Sequence, residues 1–315
     1  RKDTDWLKRC KAECVREAAH ALEETYKKFF KGSGFPKFKN KKSKQYFRAY
    51  QNISCKGGGL HFYGSLIKFK TSNEYKELLN ARKIKQVTFT RDLCGDYWAS
   101  CLVENVEEAI TPGGKGFVGL DLGLKDIVIT SDGVVYGNKK FHKQTEFKLI
   151  RLQRKISKTK KRGKNREKIR LEIAKTHRRL TRQINHYYHQ ITNEIIRENQ
   201  TIVIETLKIT NMIKNRKLAR SIHNVAWGTI INMLEYKSKK FGREVKKVGA
   251  FYPSSKTCSK CGNVKEKLFL NERVFLCENC GLEIDRDLNA AINIKKCRAK
   301  NTQWACGGCG QKPGL

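Results

Sequence analysis

Two C-x-x-C-G units, Cys258-Ser259-Lys260-Cys261-Gly262 and Cys277-Glu278-Asn279-Cys280-Gly281, precede the acidic, Ala-rich segment Asp285-Arg286-Asp287-Leu288-Asn289-Ala290-Ala291-Ile292-Asn293-Ile294. An Asp-rich turn followed by small and apolar residues is typical of the start of a helix. A metal-binding unit therefore adjoins an acidic turn, and that turn is placed to complete a set of carboxylates from elsewhere in the chain.

The paired cysteines predict one structural zinc site. Cys258, Cys261, Cys277 and Cys280 form two pairs separated by 15 residues, which suits two turns that close a tetrahedral thiolate site. Four protein ligands leave no open position for substrate, so the zinc is expected to be structural rather than catalytic. Four buried or redox cysteines are the alternative, and the paired spacing disfavours it. Cys306-Gly307-Gly308-Cys309 has no second pair and is not predicted to bind metal.

The composition favours a polyanionic partner. The 315 residues contain 67 Lys and Arg against 30 acidic residues, a net charge of +37, and nucleic acid is the first candidate. We find no signal peptide and no apolar run near the roughly 20 residues that span a bilayer. The remaining cysteines mostly sit among apolar or helical neighbours, which favours a reducing compartment. We therefore predict a soluble protein of the reducing cytoplasm.

The periodicity of apolar residues predicts an α/β protein. An amphipathic helix is expected over residues 5–30, and a basic helical hairpin is expected where twelve Lys or Arg residues lie between Lys148 and Arg170. One further helix is predicted from Leu218 to Phe241. Short alternating or apolar runs predict the strands Leu60–Tyr63, Leu66–Phe69, Val87–Thr90, Tyr97–Val103, Gly116–Asp121, Ile127–Thr130, Val134–Tyr136, Thr201–Glu205, Glu244–Val248 and Val274–Leu276. Those between 116 and 136 should form an antiparallel meander.

Three carboxylates are candidate catalytic metal ligands. Asp121 and Glu205 each close an apolar strand, and Asp287 lies at the start of the Ala-rich helix. Taken singly, Asp121 and Glu205 are better explained as strand-end turn residues and Asp287 as a helix cap. Together they have the order of an RNase H-like site, in which convergent carboxylates bind two Mg²⁺ or Mn²⁺ ions for phosphodiester hydrolysis.

At these residues the chain resembles the TnpB proteins of insertion sequences, which are related to type V CRISPR effectors. The strings that carry the resemblance are Phe35-Pro36-Lys37-Phe38-Lys39, Gly119-Leu120-Asp121-Leu122-Gly123-Leu124-Lys125, Val203-Ile204-Glu205-Thr206-Leu207, Asn215-Arg216-Lys217-Leu218-Ala219-Arg220-Ser221-Ile222, Phe251-Tyr252-Pro253-Ser254-Ser255-Lys256-Thr257-Cys258-Ser259-Lys260-Cys261-Gly262 and Asp285-Arg286-Asp287-Leu288-Asn289-Ala290-Ala291. The resemblance implies an RNA-guided DNA endonuclease, with guide RNA and target DNA as partners.

The resemblance also implies an RNase H-like RuvC nuclease domain split into three parts, with an inserted helical hairpin and a zinc ribbon. Asp121, Glu205 and Asp287 would be its ligands, and Asp285 is the runner-up to Asp287. The implied organisation is a helical recognition-lobe remnant at 1–34, a wedge-like β domain at 35–110, RuvC parts at 111–140, 201–253 and 283–296, a basic insertion at 141–200, a zinc ribbon at 254–282 and a tail at 297–315. A first strand and the start of the recognition lobe would precede Arg1, and their absence would impair activity.

Several basic residues are candidate nucleic-acid contacts. The hairpin residues are expected to grip the phosphates of a guide–target duplex, although a solvated charged hairpin is equally compatible with the charge run. The candidates are Lys37, Lys39, Lys155, Lys160, Lys161, Arg162, Arg216, Lys217 and Arg220. Aromatic residues between the basic ones at 37–50 could stack on bases, but Phe38 and Phe47 are predicted to pack in a core.

Three functions remain open from the sequence. The first is an RNA-guided, metal-dependent DNA endonuclease associated with a transposable element. The second is a strand-transfer transposase with the same carboxylate fold. The third is a non-catalytic binder of guide RNA or DNA, which would have no need of three placed carboxylates.

Overall fold

A computed structural model describes residues 10–38, 40, 45–104, 114, 116–207, 212, 214, 216–249, 252–269 and 272–297. The chain divides into two compact units. The first comprises Arg1–Glu107 with Lys160–Lys175, and the second comprises Glu108–Thr159 with Thr176–Leu315. Among the helices that the structure describes, none combines the length and apolar character needed to cross a bilayer.

The described residues of the first unit form two three-stranded antiparallel sheets, two complete helices and the start of a third, Lys164–Glu198, which continues into the second unit. One sheet has the order β2-β3-β4 and the other β1-β5-β6. The elements are α1 (Ala12–Phe30), β1 (Gln45–Ala49), β2 (Ile53–Lys56), β3 (Gly59–Phe62), β4 (Ser65–Lys68), α2 (Asn73–Ala81), β5 (Ile84–Arg91) and β6 (Tyr97–Val103). Leu60, Val87 and Phe89 form the centre of a small core between the sheets.

The buried carboxylate of Glu13 connects α1 to the residues that follow β1 and β3. Glu13 is 7% exposed and accepts hydrogen bonds from the backbone N–H groups of Tyr50 and Gln51 and from the Tyr63 hydroxyl, the last at 2.6 Å. Burial alone would raise the pKa of Glu13, but these donors outweigh it and hold the pKa below its ordinary value. The carboxylate thus replaces the water it loses with three donors.

The second unit is built on a mixed five-stranded sheet with the order β11-β10-β7-β8-β9. β10 is parallel to both β7 and β11, whereas β7, β8 and β9 form the antiparallel meander that the sequence predicts. The elements are β7 (Gly116–Asp121), β8 (Asp126–Thr130), β9 (Val135–Gly137), α3 (Phe141–Ser157), α4 (Lys164–Glu198), β10 (Asn199–Glu205), α5 (Arg216–Val225), α6 (Trp227–Lys240), β11 (Glu244–Val248), β12 (Val274–Leu276), β13 (Glu283–Asp285) and α7 (Arg286–Cys297).

Alternation along the strands separates the two faces of this sheet. On one face, Leu120 and Ile204 pack with α4, α5 and α6 in the main core. On the other face, Val203 packs against Ile294 of α7. Asp121 and Glu205 follow Leu120 and Ile204 and therefore project on the α7 side.

Two predictions are wrong. The single helix expected from Leu218 to Phe241 is two helices, because Ala226 adopts a left-handed conformation with φ 48° between α5 and α6. The break directs Trp227 toward the loop after β7, where its indole N–H donates to the Gly123 carbonyl at 3.1 Å. Phe38 is fully exposed rather than packed in a core, and Phe47 is 42% exposed although its ring stacks on Phe89 at 4.9 Å.

Candidate active site and metal centre

Two of the predicted carboxylates end neighbouring parallel strands. Ile204 of β10 lies opposite Leu120 of β7, so the next residue of each strand, Glu205 and Asp121, emerges at the same edge of the sheet. Both line a cavity of about 590 Å³. Parallel strands place their carboxyl ends together, which is why two sequence-distant acids meet here.

Asp287 completes the group from the first turn of α7, and Asp285 has a different role. One carboxylate oxygen of Asp285 accepts hydrogen bonds from the backbone N–H groups of Asp287 and Leu288, both at 3.0 Å, so Asp285 caps the helix. Asp287 lines the cavity with Asp121 and Glu205, whereas Asp285 is exposed and is not part of its lining. Because capping engages Asp285, the carboxylate of Asp287 is left for the cavity.

Burial and mutual repulsion disfavour the ionised forms of the carboxylates in this cavity. Burial, together with the negative charges of Asp287 and Glu205, raises the pKa of Asp121 to about 7, and Arg286 only partly offsets this. Burial also raises the pKa of Glu205. Clustered carboxylates that repel one another are the donor set that a hard divalent cation stabilises.

Four basic residues also line the cavity, and none of them is among the site residues predicted from the sequence. Arg286 Nε lies 3.2 Å from one oxygen of Asp287, and Arg273 Nη1 lies 3.8 Å from the other. Lys125 and Lys256 belong to the same lining. Lys125, Lys256 and Arg286 lie inside the motifs quoted above, so proximity to those motifs was a signal that could have found them.

The four predicted zinc cysteines lie together. Their Sγ atoms are all within 4.8 Å of one another, and the pairs Cys258–Cys280 and Cys261–Cys277 are 3.6 Å apart. Tetrahedral zinc with Zn–S bonds of about 2.3 Å requires sulfur separations of about 3.8 Å, so the donor set fits this ion.

The two cysteine turns share one geometry. In each, the glycine after the second cysteine has a positive φ, 81° for Gly262 and 68° for Gly281, and donates its N–H to the carbonyl of the first cysteine at 2.9 Å. Glycine is suited to this conformation because it has no Cβ. Phe275, which is 1% exposed, packs with Cys258 and Cys277.

Among the described residues, these cysteines are the only group of three or more potential ligands whose ligand atoms all lie within 4.8 Å. The oxygens of Asp121, Glu205 and Asp287 do not form such a group.

The predicted nucleic-acid contacts are exposed wherever they are described. Lys37, Lys155, Lys160, Lys161 and Arg162 have exposed side chains, and the last three lie in the turn between α3 and α4. Arg220 is exposed and forms an ion pair with Glu146 of α3 instead of lining the cavity. Lys39 and the side chains of Arg216 and Lys217 lie outside the described residues, as do Cys306 and Cys309.

Comparison with known proteins identifies the family. The model described as "Cas12f1-like, TNB domain" matches residues 227–294, and the model described as "Probable transposase" matches residues 100–216. A protein of Streptomyces pristinaespiralis named "Putative RNA-guided DNA endonuclease" is 35% identical over 288 residues, which cover 89% of this chain and 70% of that protein. The chain belongs to the TnpB family.

Other TnpB relatives cover the chain almost completely. The Escherichia coli K12 protein InsQ, whose name also describes an RNA-guided DNA endonuclease, is 27% identical over 321 residues, covering 97% of this chain and 78% of InsQ. A chain in a Cas12f1–sgRNA–target DNA complex matches with a TM-score of 0.59 and 19% identity over 90% of this chain and 71% of that chain. This TnpB chain thus has a Cas12f1-like fold.

Proposed function

We propose that this chain is an RNA-guided, Mg²⁺-dependent DNA endonuclease of a transposable element. The observation that carries the proposal is the convergence of Asp121, Glu205 and Asp287 on one cavity. Membership of the TnpB family and relatives named as RNA-guided DNA endonucleases support the same function.

The sheet order and the position of α7 support an RNase H-like RuvC domain. In this proposal Asp121 comes from part 111–140, Glu205 from part 201–253 and Asp287 from part 283–296. The β12–β13 hairpin and the four cysteines support a zinc ribbon at 254–282, and the two small sheets of the first unit support a wedge-like domain at 35–110.

Each charged residue of the cavity lining has a proposed role. Asp121, Glu205 and Asp287 would hold two Mg²⁺ or Mn²⁺ ions, which when bound supply an activated water and stabilise the departing oxygen. Arg286 and Arg273 orient the Asp287 carboxylate through the ion pairs described above. Lys125 and Lys256 bring positive charge to the cavity, where a phosphodiester would lie.

Guide RNA and target DNA are the proposed partners. The net charge of +37 supplies the nonspecific attraction, and base pairing with the guide would supply sequence specificity. The exposed basic turn between α3 and α4, with Lys160, Lys161 and Arg162, is the proposed contact to the phosphates of the duplex.

The decisive experiment uses the full-length protein purified with co-expressed RNA. The RNA is sequenced, and a plasmid that matches it is incubated with Mg²⁺ and wild-type protein, Asp121→Ala or the control Glu283→Ala. Glu283 is an exposed carboxylate on β13 outside the cavity. We expect wild type and Glu283→Ala to cut and Asp121→Ala to leave the plasmid intact. If the wild-type protein leaves the plasmid uncut with every recovered guide, the proposed nuclease function is refuted.

The match to a "Probable transposase" model favours one second candidate, DNA strand transfer. In strand transfer, too, an activated oxygen attacks a phosphodiester, so the same carboxylate cavity would serve that reaction. Joined DNA products in the same assay would favour strand transfer, and cut ends without joining favour the endonuclease.

A further inference from the structure

Two asparagine side chains of α7 are buried against the first cysteine turn. Asn289 is 0% exposed and Asn293 is 2% exposed. They are four residues apart and therefore lie on the same side of the helix. A buried amide is costly unless its donors and acceptor are satisfied, so the partners of these two residues define what this side of α7 is built to contact.

Asn289 contacts both residues that flank the zinc-ligand position Cys258. Its Oδ1 accepts the backbone N–H of Ser259 at 2.9 Å, and its Nδ2 donates to the Thr257 carbonyl at 2.7 Å. Asn293 Nδ2 donates to the same Thr257 carbonyl at 2.6 Å and to the Ser254 carbonyl at 2.8 Å. The backbone around Cys258 is therefore fixed to α7 by amide hydrogen bonds.

The same helix carries Asp287, two residues before Asn289. Residues two apart on a helix point in different directions, so one side of α7 faces the cysteine turn while its first turn supplies Asp287 to the cavity. Only the short strand β13 separates Cys280 from the start of α7 in the chain. The cysteine unit is therefore connected to the helix twice, through β13 and through the hydrogen bonds of Asn289.

We propose that Asn289, assisted by Asn293, is a positioning residue that couples zinc binding at the four cysteines to divalent-metal binding at Asp287. The coupling rests on the proposed function above, because it requires the carboxylates to be a metal site. Zinc orders the turn around Cys258, the asparagines transmit that order to α7, and α7 sets the position of Asp287. Residues that orient metal ligands from outside the coordination sphere typically contribute about 10- to 100-fold in affinity.

The test measures Mn²⁺ binding by electron paramagnetic resonance, without nucleic acid and without turnover. Full-length wild type and Asn289→Ala are compared with zinc bound, and wild type is also compared after chelation of its zinc. Zinc content and the circular dichroism spectrum are recorded for every sample. We expect Asn289→Ala to keep one zinc per chain and to bind Mn²⁺ about tenfold more weakly, and zinc removal from wild type to weaken Mn²⁺ binding by a similar factor.

A matched control separates positioning from general loosening of the helix. Ile294→Ala removes a buried side chain of α7 that packs against Val203 and Val248, in a hydrophobic cluster separate from that of the cysteines. It should lower the melting temperature while leaving Mn²⁺ affinity within about twofold. Asn293→Ala keeps both Asn289 contacts beside Cys258 and should show a smaller loss than Asn289→Ala, which provides a second variant if Asn289→Ala folds poorly.

Three outcomes would overturn the coupling. These are an unchanged Mn²⁺ affinity in zinc-bound Asn289→Ala and Asn293→Ala, an equal loss in Ile294→Ala, or wild-type Mn²⁺ affinity that does not depend on zinc. Asp121→Ala separates this failure from that of the proposed function. If Asp121→Ala abolishes Mn²⁺ binding while the asparagine variants do not change it, only the coupling is refuted. Mn²⁺ binding that survives Asp121→Ala refutes the carboxylate site, and the coupling with it.

Discussion

Gly119 of β7 lies directly against the backbone of Ala291 in α7: a Cβ atom on Gly119 would be 2.2 Å from the Ala291 carbonyl oxygen. It would also lie 2.5 Å from the backbone nitrogen of Lys295. The missing side chain allows the helix that carries Asp287 to approach the strand that carries Asp121. The glycine of this motif is therefore required by close packing rather than by a turn.

Gly119→Ala should push α7 away from the sheet, because backbone atoms cannot move aside as a flexible side chain can. We expect a loss of about 1 to 3 kcal/mol in the free energy of unfolding, measured in urea. We also expect half-maximal cleavage to require a higher Mg²⁺ concentration, because Asp287 is displaced. Gly137→Ala is the control in the same sheet, where the new Cβ would be 3.6 Å from a side-chain oxygen of Asp126. Equal effects of the two substitutions would contradict this account.

Asp121→Asn should change how the stability of the metal-free protein depends on pH. The folded-state pKa of Asp121 is raised from 3.8 to about 7, so its contribution to stability is fully present below pH 3.8 and is lost as pH rises through 7. The asparagine side chain of the variant does not ionise, so the variant does not lose this stability as pH rises. We expect it to be more stable than wild type above pH 7, by at most about 4 kcal/mol, and the difference to vanish near pH 4.

Urea unfolding with chelator between pH 4 and 8 measures this difference, and added Mg²⁺ provides the internal check. Mg²⁺ should stabilise wild type at pH 8 far more than Asp121→Asn, since a cation bound to the native state favours the ionised carboxylates. A wild-type advantage over the variant at pH 8 without metal would show that the cavity does not raise the pKa of Asp121.

Glu13→Ala should destabilise the first unit. The substitution removes the acceptor of two backbone N–H groups and of the Tyr63 hydroxyl, and unsatisfied buried donors cost about 1 to 3 kcal/mol each. We expect a loss of about 2 to 4 kcal/mol at pH 7, read from the first unfolding transition in calorimetry. Because the pKa of Glu13 is lowered, its contribution is present above the ordinary pKa of 4.5 and is lost as pH falls below it. Glu24→Ala, an exposed change on the same helix, should have little effect.

Local patterns predicted much of the site. The C-x-x-C spacing identified the cysteine cluster, and apolar runs ending in an acid identified Asp121 and Glu205, because these signals depend on adjacent residues. The choice between Asp285 and Asp287 depends on the residue at which α7 begins, and both positions carry an acid. Arg273 and Asp287 are 14 positions apart, and their pairing depends on how the β12–β13 hairpin between them folds, which no local pattern encodes.

Two errors have equally physical causes. Ala226 is a strong helix former, so nothing local signals the break that the Trp227 contact with Gly123 accompanies. The aromatic side chain of Phe38 favours burial, yet Phe38 is fully exposed, and exposure of single large apolar residues is common. Tertiary contacts decided the first case, and apolar character alone was a weak guide in the second.

Lys237→Met should stabilise the protein near neutral pH. The Lys237 side chain is 4% exposed, and its ammonium donates to the His189 carbonyl at 3.1 Å and to Thr192 Oγ1 at 2.6 Å. Burial lowers the pKa of Lys237 from 10.5 to about 8, so its stabilising contribution is present above pH 10.5 and is lost as pH falls through 8. Methionine removes this penalty with a similar shape.

Thermal unfolding of Lys237→Met at pH 7 should show a gain of about 1 to 2 kcal/mol over wild type, after allowance for the hydrogen bonds that are lost. The gain should shrink as pH is raised from 8 toward 10, since wild type then loses its buried charge. If the gain in the free energy of unfolding stays constant across this pH range, the stabilisation comes from packing and not from removal of a buried charge.

Asp285→Asn and Asp287→Asn distinguish the capping aspartate from the proposed metal ligand. Asparagine keeps a side-chain oxygen that can accept the N–H groups of Asp287 and Leu288, and Asn is as good a cap as Asp, so Asp285→Asn should retain stability and cut a matched plasmid within about threefold of wild type. Asp287→Asn removes the negative charge from the cavity, and we expect a drop of at least about 100-fold in cleavage rate with a melting temperature close to that of wild type. Single-turnover cleavage at saturating Mg²⁺ measures both rates. If Asp285→Asn fails to cut while Asp287→Asn remains active, the ligand assignment is reversed.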